Sequence, residues 1–169
     1  VYKRQIQTGA FLLSAVAASI ALFYNARQVR HLRTQTEVSE RQAKSRATVD
    51  VVLHERGDKE YGAARKKFAE LRDSGNSLTQ YACAKPPAHQ EENSSIMTIL
   101  NQYEFMAAGI RTGAFDEEIY KRMKRGLLIR DWKALKAYVE ELKTLHKRPE
   151  LYIEFQWLAE RWDNEKASK

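Results

Sequence analysis

Between Gln5 and Asn25 the sequence QIQTGAFLLSAVAASIALFYN holds no charged residue, while Lys3 and Arg4 precede it and Arg27, Arg30 and Arg33 come after it. A stretch of this kind must be hidden from water, and a helix across a bilayer hides it with its backbone amides satisfied internally. Crossing ~30 Å of hydrocarbon at ~1.5 Å rise takes about 20 apolar residues, and Ile6 to Tyr24 supplies just under that. The pattern predicts a transmembrane anchor over residues 1–25. A cleaved signal peptide fits less well, because the apolar run is long for one and an arginine cluster stands where a small-residue cleavage site belongs. A buried core helix would leave the flanking charges unexplained. The sequence begins at Val1 rather than Met, so the natural amino terminus is expected further out.

The span has two unlike faces. At 100° per residue, Gln7, Ala10, Ser14, Ala17, Ala18, Ala21 and Asn25 share one sector, and Leu12, Val16, Ile20 and Phe23 share the opposite one. Lipid offers no hydrophobic drive between helices, so small residues that let backbones approach form the usual packing surface. This face is therefore expected to pack against other copies of the chain, or to line a pore between them.

Charge sharpens the placement. The formal net charge is +7, yet no Asp or Glu occurs before Glu37. The arginines at 27, 30 and 33 read as a cluster at the membrane surface, contacting anionic head groups and favouring a cytosolic side for the rest of the chain. A nucleic-acid patch is the weaker reading of the same residues. The lone Cys83 can form no intrachain disulfide, which agrees with a reducing compartment.

Beyond the span, residues 26–57 lack Pro and carry Gly only at the end, which predicts a helical stalk. Its apolar stripe, Val29, Leu32, Val38, Ala43, Ala47, Val51 and Val52, is thin and suits packing against copies of itself. Residues 58–169 should form a cytosolic helical domain, with a helix over 59–72 and an irregular loop over 74–93 around Gly75, Pro86 and Pro87. Helices are then expected from about Ser95 to Thr112, from Asp116 to a break near Gly126, from about Asp131, and from Pro149 to the end. The predicted class is all-α: one transmembrane helix, a stalk and a compact bundle.

Chemistry is sparse. Four histidines and one cysteine stand scattered, with no HExxH and no Gly-rich phosphate loop. No catalytic residue, metal ligand or cofactor is expected. Glu104 and Arg111 lie seven apart on an otherwise apolar helix, so a buried ion pair that includes Arg130 is the expectation there, in preference to a ligand site.

Several groups of residues carry a resemblance. They are Leu100-Asn101 with Glu104, Ala108-Gly109-Ile110-Arg111-Thr112-Gly113, Phe115-Asp116-Glu117-Glu118, Trp132, and Glu154-Phe155 with Leu158-Ala159-Glu160-Arg161-Trp162. In these the chain resembles an uncharacterised bacterial and prophage family of small single-pass membrane proteins with an all-helical cytosolic domain. In architecture it is also similar to the pore-forming membrane accessory protein of type VI CRISPR systems. These resemblances imply an inner-membrane protein that self-assembles and perturbs or perforates the bilayer, in antiphage defence. A tethered scaffold docking a cytosolic protein partner is the alternative. A degenerate HEPN-like RNA-binding or nuclease domain is the third, although no Arg and His stand at that family's spacing and nucleic acid is disfavoured as a partner.

Overall fold

The computed structural model describes the backbone of residues 2–82 and 89–167, and the side chains of residues 23–25, 27–82 and 89–165. Five α-helices run α1 (Tyr2–Gly57), α2 (Lys59–Asp73), α3 (Gln90–Arg111), α4 (Glu117–His146) and α5 (Ile153–Ala167), with a 3-10 turn at Leu78–Tyr81. No strand occurs among the described residues. The all-α expectation holds. The chain parts into two compact units, Val1–Ala43 and Lys44–Lys169.

The first unit is the bulk of α1. From Arg27 to Lys44 every side chain is exposed. The span's side chains at Gln7, Ala10, Ser14, Ala17, Ala18 and Ala21 lie outside the described residues, as does Cys83. Among the described residues no helix is long and apolar enough to cross a membrane. The stalk expected over 26–57 is divided: residues 44–57 belong to the second unit, where Val52 is fully buried.

The second unit is a bundle whose core is drawn from all its helices. Ile96, Ile99, Leu100, Tyr103, Met106, Ala107 and Ile110 of α3 are buried, on the apolar face that their spacing predicts. Tyr120, Leu128, Trp132, Leu135, Tyr138, Val139 and Leu142 of α4 join them, with Phe155, Leu158, Ala159 and Trp162 of α5. The last part of α1, from Lys44 onward, contributes Val52 to this core, and α2 contributes Phe68.

Four boundaries differ from expectation. Helix α4 is continuous from Glu117 to His146, so there is neither a break near Gly126 nor a start at Asp131. Gly126 costs helix propensity but leaves open space around it, and Asp131 is not a cap but a fully buried residue in mid-helix. Pro149 does not open the last helix. The chain turns through residues 147–152 with Tyr152 in the left-handed region (φ 57°), and α5 begins at Ile153. Helix α3 begins at Gln90, before the expected Ser95, behind a left-handed His89. Part of the expected 74–93 loop is core, since Leu78 and Tyr81 of the 3-10 turn are buried.

Other local signals hold. Asp58 separates α1 from α2 and its carboxylate caps α2, accepting from Glu60 N and Tyr61 N. Gly113 takes the positive φ (75°) that ends α3, and Asp116 caps α4 by accepting from Ile119 N.

Candidate functional site

Two clusters of polar side chains organise the bundle, one buried around Asp131 and one partly open to solvent around Glu104 and Arg161. The first surrounds Asp131. Arg65 and Arg72 lie two turns apart on α2, with Phe68 between them, so both guanidinium groups fall on one face. Arg72 Nη1 donates to Asp131 Oδ1 at 2.6 Å, and Arg65 Nη2 lies 2.5 Å from Oδ2. Tyr103 of α3 donates its hydroxyl to Oδ2 at 2.6 Å and accepts from Arg65 Nη1 at 3.3 Å. Both guanidinium groups also sit over the Phe68 ring, at 5.5 and 5.9 Å.

Burial, and then the Asp131 charge, push the Tyr103 hydroxyl well above its usual value. Burial works against the Arg65 charge, but Tyr103 and Asp131 outweigh it and its pKa is raised. Asp131 is fully buried and both of its oxygens are engaged. This carboxylate holds α2, α3 and α4 together.

The second cluster joins α3, α4 and α5 and contains several of the residues singled out by resemblance, among them Glu104, Arg111, Glu117, Glu154, Arg161 and Trp162. Glu104 stands at the amino end of α5 and accepts from Phe155 N at 2.8 Å and Glu154 N at 3.3 Å, replacing a cap of α5's own. Burial raises its pKa, against the two backbone donors that lower it. Arg111 pairs with Glu154 at 3.0 Å and lies over the Trp157 ring, while Arg161 covers the same ring at 4.3 Å. Glu117 accepts from Trp162 Nε1 at 2.9 Å and pairs with Arg161. The expected Glu104–Arg111–Arg130 ion pair is therefore not formed: Glu104 serves backbone amides, Arg111 takes Glu154, and Arg130 is exposed.

Gly109 belongs to this joint because the Phe115 ring lies against it. A Cβ there would fall 2.1 Å from a ring carbon of Phe115. Asp116 ties the joint to α1. Its backbone amide donates to Thr48 Oγ1 at 2.8 Å, and its Oδ2 accepts from Ser45 Oγ at 2.8 Å. Further along α1, Glu55 pairs with Lys124 at 2.7 Å and accepts from Gln102 at 2.8 Å. Ser45, Thr48, Val52 and Glu55 are spaced three and four residues apart, a single helix face.

Reasoning from sequence alone missed Asp131, Arg65 and Arg72. The signal was there in part: Asp131 falls among apolar-face positions of α4, between Leu128 and Leu135, where an unpartnered carboxylate could not remain. Its partner Arg72 lies 59 positions away on α2 and its partner Tyr103 lies 28 positions away on α3, distances that no local pattern spans.

The surface offers less chemistry. Among the described residues no group of His, Cys, Asp and Glu is placed to hold a metal ion. A polar groove of about 1040 Å³ runs between α2 and α3, with Tyr61 and Lys67 on one wall and Ser94, Thr98 and Gln102 on the other. Lys67 is already paired with Glu92 at 3.3 Å. Of the predicted site residues on α1, Asn25, Arg27, Arg30 and Arg33 are all exposed.

An all-α bundle preceded by the long first part of α1, and braced inside by Asp131 with Arg72 and by Glu55 with Lys124, is the class of domain that the fold defines. The chain belongs to the family described as Domain of unknown function (DUF4760), which matches residues 12–162 and so takes in most of α1 together with the bundle. No curated protein and no solved structure matches the chain. None of these comparisons links it to CRISPR accessory proteins.

Proposed function

We propose that this is a single-pass protein of the bacterial inner membrane that assembles with copies of itself and perturbs or perforates the bilayer, its bundle lying in the cytosol. The observation that carries the reading is the exposed length of α1: from Arg27 to Lys44 nothing covers the helix. Immediately before it stands the uncharged stretch Gln5–Asn25. Val29, Leu32 and Val38 are about half exposed on that length, an arrangement that makes sense once other helices surround it. Exposed Arg27, Arg30 and Arg33 suit contact with anionic head groups beside the span. The bundle's buried polar groups are largely spent on one another, which supports a structural role over an enzymatic one.

Carbonate extraction of membranes from expressing cells, together with a potential-sensitive dye, tests this. The chain should stay in the pellet and the membrane should depolarise. Release by carbonate would sink the anchor. A carbonate-resistant oligomer that never alters potential or dye entry, even under phage challenge, would leave the scaffold reading. The open α2–α3 groove and the exposed Phe105 and Leu53 favour that second reading.

A further inference from the structure

The exposed part of α1 obeys a seven-residue rule. With Asn25 placed at position a, Asn25, Leu32 and Ser39 occupy a, and Gln28, Gln35 and Gln42 occupy d. Every charged residue of this length falls at b, c or f: Arg33 and Glu40 at b, Arg27 and Arg41 at c, Arg30, Glu37 and Lys44 at f. Positions e and g carry none, being Val29, Thr36 and Ala43 on one flank and His31, Val38 and Ser45 on the other. A helix bound only for water has no reason to keep four of its seven positions clear of charge. In this chain these uncharged positions are exposed as far as Ala43.

We infer that residues 25–43 form a parallel coiled coil of more than two copies of this chain, with the glutamines of position d meeting one another in the interior. The inference rests on the membrane reading for its direction, since chains anchored at the same end in one bilayer lie parallel. The occupant is a second copy because a glutamine amide carries both donor and acceptor, so an identical amide at the same level complements it. Two strands would cover only a and d and leave the uncharged e and g flanks in water. With more strands, each helix sets its g flank against the e flank of the next, and the contact closes into a ring. The outward face is provided for, since Glu37 and Arg41, and Glu40 and Lys44, stand four apart with the acid first.

The period also has a defined end. Ser45 is engaged by Asp116 of the bundle, and Arg46 occupies the next a position, so the coiled coil stops where the second unit starts. In the other direction the glutamine row continues in sequence through Ala21, Ser14 and Gln7, at sevens. A seam this polar is weak between free chains, and tethering in one membrane supplies the effective concentration it needs.

Full-length protein in native membranes, with Cys83→Ser as background, tests the ring. Val38→Cys combined with Ala43→Cys places thiols on the two flanks, at the g and e levels that meet between neighbours. Oxidation should give a disulfide ladder extending beyond the dimer. Arg30→Cys combined with Glu37→Cys, on the outer face, should stay monomeric. Gln35→Glu with Gln42→Glu, added to the flank pair, should cut the ladder at least fivefold by placing charge in the seam. A ladder that stops at dimers, one of equal strength from the outer pair, or none at all overturns the inference. Carbonate extraction of the same samples separates the two readings. A retained chain without a ladder sinks the ring alone, and a released chain that still ladders sinks the anchor and keeps the ring.

Discussion

A carboxylate with no exposure and two arginines around it is a hazard if any member is lost, because the others remain buried and charged. Replacing Asp131 with Ala should lower stability by about 3–5 kcal/mol, the range for breaking a buried ion pair. Urea unfolding in mild detergent, monitored by the fluorescence of Trp132, Trp157 and Trp162, measures it. Arg122→Ala removes the well-exposed pair with Glu118 and should leave the midpoint unchanged within error. Glu104 gives a pH signature instead. Its folded pKa is raised, so the folded state binds its proton more readily than the unfolded chain and stability rises as pH falls through the raised value. The wild type should therefore gain on Glu104→Gln between pH 7 and the ordinary glutamate range, and a difference that is flat with pH would contradict this. Glu104 and Arg111 announced themselves in the sequence as charges on an apolar face. Their partners did not, because the N–H groups that Glu104 serves leave no mark in composition and the Glu154 that Arg111 takes lies 43 positions away.

Helix ends and helix interiors set different demands on glycine. Gly109 and Gly126 both sit within helices, where alanine is favoured by up to about 1 kcal/mol. At Gly126 a Cβ meets nothing within 4 Å, so Gly126→Ala should stabilise by about 0.5–1 kcal/mol. At Gly109 it meets the Phe115 ring at 2.1 and 2.3 Å, so the ring must leave its place, and Gly109→Ala should destabilise by about 1–3 kcal/mol. Thermal melts of both variants decide it, and equal shifts would mean that Phe115 moves freely. The same contrast explains the missed continuity of α4. A glycine and an aspartate five residues apart look like an end and a fresh cap. One is only a tolerated gap, and the other is held by Arg65, Arg72 and Tyr103.

For the whole molecule the open matter is assembly. Ser14→Leu or Ala18→Ile puts bulk on the small face of the proposed span and should weaken crosslinking in membranes, while Leu12→Ile or Val16→Leu should not. Equal effects would assign association to the rest of the chain. Cys83 should resist an impermeant thiol reagent in intact spheroplasts, and labelling there would place the bundle on the other side of the membrane.

Periodicity and local punctuation belong to the chain, and they settled the helical class, the apolar faces of α3, α4 and α5, the break at Asp58, the cap at Asp116, the turn at Gly113 and the charge-free face of α1. These are local properties, fixed by residues within a turn or two of each other. Tertiary structure alone decided that residues 44–57 join the bundle through Ser45, Thr48, Val52 and Glu55. It decided also that α5 starts at a carboxylate borrowed from α3, and that Asp131 is the centre of a clamp. Each of these pairs a polar group with a partner tens of residues away. Burial makes such a group demand a partner, but only the packing of helices selects which one answers.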